Sequence, residues 1–458
     1  MPSAVFTGHS DVGWARPIVL LPLVALSFGV TYAVARKELN ARAISPAARG
    51  APLVTPLPSS NRIVAERRRT LANDLNLIVI TIDTFRADLL GHSRHIIPHL
   101  DALATHSAVF DNAYAPASYT GKSVGPLLIG KYSSETHRDF SHFNSFAPGK
   151  DAFVQQRLQS AKIRTISVQG YWYFYQPKYG FDQGFDVVDS SASTSANYVT
   201  SDRSSNSDQL ADAVLAQLAK PENHAQRFYL WSHFTDPHAE YVSHNAFDFG
   251  SSKKERYYGE AAFVDHNIGR IVDWVRQQPW GGKTVFIITS HHGEAFGEHG
   301  IMGHGCELWE SLIKVPLLFN GPGIASRHIS TRRSIIDLVP TILDLMQVPA
   351  PTQRQTDFVS GQSLLPELRG IGGSDAARPL LVDMATGPFN SERQAFISGD
   401  LKLVVSQEQP LGLFDLSDDP EEKRNLLGTR SRRDPMVKQL TAFKKNLRIV
   451  EVQGKSQY

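Results

Sequence analysis

Within residues 289–305 (TSHHGEAFGEHGIMGHG) fall His291, His292, His299 and His304, together with Glu294 and Glu298. Imidazole and carboxylate donors at this density are the ligand types of a divalent metal site. A solvated polar loop is the alternative, and one or two histidines alone would favour it. The stretch follows an apolar run, residues 284–289 (TVFIIT), which reads as a strand buried on both faces. Open α/β sheets place their ligand crevice past the carboxyl ends of such strands. The glycines that follow end the strand and let the backbone turn tightly.

Other chemistry-bearing residues sit at similar places. Residues 75–82 (LNLIVITI) end in Asp83, a carboxylate at a strand tip that either faces the crevice or caps the next helix. Residues 120–123 (TGKS) put a hydroxyl and an ammonium where an apolar run can open a helix. Free amides there, with Lys122, would steady an anionic ester; a simple N-cap is the competing reading. A Walker loop is excluded, because Pro116 stands where its earlier glycine is required. Residues 227–232 (RFYLWS) read as another strand and run into His233, Asp236 and His238.

Positioning these groups takes a sheet. Buried runs at 163–168, 227–232 and 284–289 alternate with helical stretches at 207–218 and 260–277, the pattern of a doubly wound, mostly parallel α/β sheet flanked by helices. The Ser-rich residues 190–207 read as a loop suited to cover the crevice. Beyond about residue 370 the pattern changes to short strands (378–383, 401–405, 412–415) and an amphipathic helix over 435–449, a small C-terminal α+β subdomain.

The chain of 458 residues is 41% hydrophobic and 20% charged, ordinary for a globular protein, and its net charge of +2 argues against a nucleic-acid partner. A single cysteine, Cys306, excludes intramolecular disulfides. Residues 17–35 are nineteen long and uncharged, enough to cross a bilayer. They are expected to be a transmembrane anchor, or a signal segment cleaved after Ala35. The flanking basic residues do not fix orientation. The expected plan is a tail (1–16), the apolar segment (17–35), a Pro/Arg linker (36–74), a main α/β domain (75–370) and the subdomain (371–458). The catalytic domain would then be extracytoplasmic, anchored to the membrane or secreted.

With these pieces placed, the chain resembles the sulfatase branch of the alkaline phosphatase superfamily. The resemblance is carried, in that family's order, by residues 82–88 (IDTFRAD), 112–120 (NAYAPASYT), 127–132 (LLIGKY), 180–186 (GFDQGFD), 236–238 (DPH) and 289–305. It continues through 314–318 (KVPLL), 337–345 (DLVPTILDL), 361–366 (GQSLLP) and 413–426 (LFDLSDDPEEKRNL). The resemblance implies an alkaline-phosphatase/sulfatase-like fold with metal ligands at Asp83, His291, His292 and Thr120. Thr84 stands where sulfatases often carry a second Asp. Thr120 matches the nucleophile, His238 and His304 match histidines that contact substrate oxygens or assist the leaving group, and Lys122 joins them in catalysis. His233, Arg86 and Ser123 are expected to bind substrate.

Two departures bear on the chemistry. Sulfatases carry Cys or Ser within Cys/Ser-x-Pro-Ser-Arg and oxidise it to formylglycine; here the residues are Thr120, Gly121, Lys122, Ser123 and Val124. Threonine cannot give that aldehyde, so no formylglycine is expected, whereas phosphatase and transferase relatives use an unmodified threonine. His291 replaces the family's aspartate, which removes a negative charge and shifts the expected cation from Ca²⁺ or Mg²⁺ towards Zn²⁺ or Mn²⁺. The reading is a metal-dependent hydrolase or transferase that cleaves phosphoesters through Thr120. The alternatives are a sulfuric ester hydrolase working without formylglycine and a non-catalytic anion-binding descendant. The substrate would be an anionic ester of a glycan, a lipid head group or a small molecule.

Overall fold

The apolar runs form strands because helices cover both faces of the sheet they build. The computed structural model describes residues 74–193, 206–354, 357–370 and 377–454. Its central sheet comprises β1 (Asn76–Ile82), β2 (Ala108–Phe110), β3 (Arg164–Gln169), β4 (Val187–Asp189), β5 (Phe228–Phe234), β6 (Thr284–Ser290), β7 (Leu317–Asn320) and β8 (Arg327–Ile329). Their order is β8-β2-β7-β6-β1-β5-β3-β4. From β6 to β4 neighbours are parallel, while β7 is antiparallel to β6 and β2. This is the doubly wound, mostly parallel sheet the sequence pattern predicts.

Alternation along β1 sorts the core in two. Leu77 and Val79 pack on the side of α1 (Thr120–Ile129) and α4 (Leu338–Leu345). Ile78, Ile80 and Ile82 pack on the side of α2 (Ser207–Ala219) and α3 (Lys253–Arg276). Both faces are therefore apolar, so the strand reads as one continuous hydrophobic run. On the first side α1 approaches its neighbours closely: a Cβ on Gly125 would lie 2.1 Å from the Phe146 ring.

The helix expected over 260–277 starts earlier, at Lys253. Ser252 Oγ accepts from the Glu255 amide (3.2 Å) and the Glu255 carboxylate accepts from the Ser252 amide (3.0 Å), a capping box that fixes the start. C-terminally, β9 (Leu380–Met384), β10 (Arg393–Ser398), β11 (Leu401–Ser406) and β12 (Gln409–Asp415) form an antiparallel sheet. On it lies α5 (Arg430–Lys444), through Met436 and Leu440. β10 is a strand the sequence pattern did not predict. α5 begins before the expected Pro435, which sits inside it.

Among the described residues no helix is long and apolar enough to cross a membrane. The apolar segment expected at 17–35, the linker up to residue 73 and most of the loop expected over 190–207 lie outside the described residues.

One acid of α3 carries a pH signature. Glu260 is 1% exposed; one carboxylate oxygen accepts from the Val242 amide (2.9 Å) and the other has no hydrogen-bond partner. Burial pushes its pKa up to about 9 from 4.5, opposed by the Val242 bond. The folded state therefore binds a proton that the unfolded chain releases, and stability falls as pH rises from about 4.5 to about 9. Glu260→Gln keeps the Val242 bond and should flatten this slope, whose ceiling is about 1.4 kcal/mol per pH unit for one proton. Urea denaturation at pH 6 and pH 8.5 measures it; equal slopes for both proteins would refute the assignment.

Candidate active site

Three adjacent strands deliver the site. β1 lies between β6 and β5, with Ile82 opposite Ser290 and Thr81 opposite His233. Asp83, just past β1, therefore stands between His291 and His292 on one side and His233 on the other. Asp83 Oδ1 is 3.5 Å from Nε2 of both His291 and His292, and Oδ2 is 3.6 Å from His233 Nε2. Ligand atoms of Asp83, His233 and His291 all lie within 4.8 Å of one another. Asp83 Oδ1 and His233 Nε2 are buried without hydrogen-bond partners among the described residues. A carboxylate oxygen and an imidazole nitrogen left bare in one buried cluster fit a bound cation, since such groups are otherwise costly to bury. Burial pushes His291 down to about 3 and His292 well below the ordinary imidazole range, which leaves both neutral with lone pairs to offer.

Thr120 opens α1, at whose start the Lys122 amide donates to the Tyr119 carbonyl oxygen at 3.0 Å. Its Oγ1 lies 3.1 Å from His292 Nε2 and 3.2 Å from His291 Nε2, in the same cluster. Glycine at 121 is required, because a Cβ there would sit 2.4 Å from the His142 carbonyl oxygen. Lys122 is 1% exposed, its Nζ has no hydrogen-bond partner among the described residues, and burial, aided by Arg138, pushes its pKa down to about 7.

His304 stacks on His292, ring centres 4.3 Å apart, and His238 meets His304 edge-on at 4.9 Å. His304 Nδ1 is 3.1 Å from Glu294 Oε1, while Glu294 Oε2 accepts from the Tyr241 hydroxyl at 2.9 Å. A carboxylate beside Nδ1 holds the proton there and leaves Nε2 turned towards the crevice.

The three expected substrate contacts have partners within the protein. Ser123 is buried and donates to the His291 carbonyl oxygen at 2.5 Å, so it braces a cluster residue. Arg86 forms a fork onto Asp88 and donates to the Glu294 carbonyl oxygen (2.7 Å) and to Glu298 (2.8 Å), so it ties the β1 exit to the histidine stretch. His233 is wholly buried behind the Phe174 ring, 4.6 Å away, and points at Asp83 rather than into the crevice. Of the four histidines in 289–305, His299 stands apart, exposed and stacked on Trp309 at 3.7 Å.

Residues that the sequence did not single out hold the turns. Ser290 Oγ accepts from the Phe85 amide and lies 2.7 Å and 2.6 Å from the carbonyl oxygens of Ile82 and His292. The Tyr257 hydroxyl donates to the Thr84 carbonyl oxygen (2.9 Å) and accepts from the Arg86 amide (3.0 Å). Thr84 itself has φ +50°, a rare conformation for a β-branched residue and one that clusters at functional sites.

Fold and site together define an α/β protein with a metal-competent Asp/His cluster against a helix-borne threonine. The family model described as Sulfatase matches residues 75–348, more than half of the chain, and the protein belongs to that family. It is 28% identical over 218 residues to a choline-sulfatase of Rhizobium meliloti (46% of this chain, 41% of that one). It is 32% identical over 185 residues to arylsulfatase K of Bos taurus (37% and 32%). These alignments cover about two fifths or less of those relatives' length. Among solved structures, a phosphonate monoester hydrolase of Agrobacterium radiobacter superposes with a TM-score of 0.66 at 18% identity, over 81% of this chain and 95% of that one, a likeness of fold.

Proposed function

We propose that the protein is a metal-dependent ester hydrolase or transferase that cleaves phosphoesters with Thr120 as nucleophile. The observation that carries this reading is the Thr120 hydroxyl within 3.2 Å of two neutral imidazoles that also face Asp83. A divalent cation held by Asp83, His291 and His292 beside Thr120 would acidify that hydroxyl and polarise a phosphoryl oxygen. The imidazole-rich donor set favours Zn²⁺ or Mn²⁺ over Ca²⁺ or Mg²⁺.

Thr120 Oγ1 gives its proton to water and attacks phosphorus in line, forming an O–P bond as the bond to the leaving oxygen breaks. Lys122 and the α1 amides balance charge on the remaining phosphoryl oxygens. His304, its Nδ1–H held by Glu294, protonates the leaving alkoxide with a second proton carried on Nε2, with His238 beside it. Water, or an acceptor hydroxyl in a transferase, then releases the phosphoryl group. An anchored, extracytoplasmic domain acting on an anionic ester of a glycan, a lipid head group or a small molecule completes the proposal. It rests on the apolar run at 17–35 and on Lys122 in the helix that carries Thr120.

Turnover of p-nitrophenyl phosphate, bis-p-nitrophenyl phosphate and p-nitrophenyl sulfate, with metal added and with metal chelated, tests it. Phosphoester turnover lost on chelation is expected. Turnover of the sulfate alone would replace the reading with a formylglycine-independent sulfatase, and no turnover of any of the three would favour a non-catalytic anion binder.

A further inference from the structure

His233 is expected from sequence as a substrate contact, yet it is fully buried and its Nε2 faces Asp83 with no hydrogen-bond partner among the described residues. What lies behind its other nitrogen explains this placement. Thr81 Oγ1, on the neighbouring strand and opposite His233 in register, is 2.7 Å from His233 Nδ1. The same oxygen accepts from the Trp231 indole N–H at 3.0 Å and lies 3.5 Å from the Ser232 carbonyl oxygen. Thr81, Trp231 and His233 are all fully buried, so no solvent competes for these bonds.

We propose that Thr81, gripped by Trp231, is the positioning residue that makes His233 an additional metal ligand of this site, alongside Asp83 and His291. The inference rests on the metal site proposed above.

The proton accounting is closed. With the Thr81 hydroxyl donating to Nδ1, the imidazole carries its proton on Nε2 and cannot ligate. With Nδ1–H donating to Thr81 Oγ1, the hydroxyl proton turns to the Ser232 carbonyl oxygen and Nε2 presents its lone pair towards Asp83. Both arrangements hold one proton on the ring and one on the hydroxyl, and the indole N–H stays bonded to Oγ1 throughout. A cation selects the second. Ligating histidines are ordinarily oriented by an oxygen on their other nitrogen, and losing that oxygen weakens metal binding about 10–100-fold. Phe174 against the imidazole face leaves the ring no room to turn away.

The test is Zn²⁺ affinity, measured on the full chain by competition with a chromophoric chelator, with folding checked by circular dichroism. Thr81→Val, nearly isosteric, should weaken Zn²⁺ about 10–100-fold, and Thr81→Ser should restore it. His233→Ala should weaken Zn²⁺ at least as much and change the visible absorption of the Co²⁺-substituted protein, because one nitrogen donor is lost. That spectrum decides the matter if Thr81→Val fails to fold. Parent-like Zn²⁺ affinity and Co²⁺ absorption in His233→Ala would overturn the inference, and so would a folded Thr81→Val that binds Zn²⁺ as the parent does. Asp83→Ala separates the two levels. If it alone loses metal, the site stands without His233; if it too binds as the parent does, the metal reading itself falls.

Discussion

Replacing Thr120 with alanine is expected to lower turnover of the best phosphoester substrate by about 10⁴-fold or more, the scale seen when a covalent nucleophile is removed. The hydroxyl is the only group lost that touches His291 and His292. Thr120→Ala leaves the helix start and Gly121 in place, so the fold should be unaffected. Thr120→Ser, which keeps the oxygen, should retain turnover within about tenfold of the parent. Single-turnover kinetics with both variants would check this, as would mass spectrometry for a phosphorylated peptide containing residue 120. Full-rate turnover in Thr120→Ala would remove threonine from the mechanism and leave the metal cluster to act on water.

The second large effect is on stability. Lys402 of β11 is fully buried and pairs with Glu310 (3.0 Å) and Glu422 (2.8 Å). Glu422 also accepts from the Glu310 amide (2.7 Å), and Glu310 from the Tyr114 hydroxyl (3.0 Å). The C-terminal sheet is thus bolted to the segment that follows His304. Lys402→Met would strand two carboxylates, one of them fully enclosed, and should cost about 3–5 kcal/mol. Chemical denaturation of the single variant measures the loss. Lys402→Met combined with Glu422→Leu should recover much of it, since apolar replacement of a whole buried pair is often neutral. A single variant as stable as the parent would show that the pair is solvated.

Much of this architecture was legible beforehand. The long runs at 75–82, 227–232 and 284–289 became β1, β5 and β6 because a strand buried on both faces has no polar interruptions to confuse its reading. Asp83, His291 and His292 were legible because they follow two of those runs, and Thr120 because it closes the stretch 112–120 that carries the family resemblance. Their convergence follows from strand adjacency. Arg86 and Ser123 could not be placed from sequence for one common reason: a charged or hydroxyl side chain near a crevice looks the same in sequence whether it faces ligand or backbone. Their partners, the carbonyl oxygens of Glu294 and His291, appear only in three dimensions. Thr81 and Trp231 were invisible because they look like ordinary strand residues. β10, a strand with Gln394 and Ala395 among its apolar residues, was too weakly patterned to be found.

The adjacency of β6, β1 and β5 has a consequence for how the cluster persists in time. His233 lies within β5, while Asp83 and His291 directly follow β1 and β6, at the middle of the sheet. Amides of these strands should exchange with deuterium only through whole-molecule opening, the slowest class of native fluctuation. The cluster should therefore assemble late, after contacts spanning some 150 to 200 residues have closed, so that a cation is captured by a finished scaffold. Its occupancy would then slow unfolding of the entire domain, by mass action on the folded state alone.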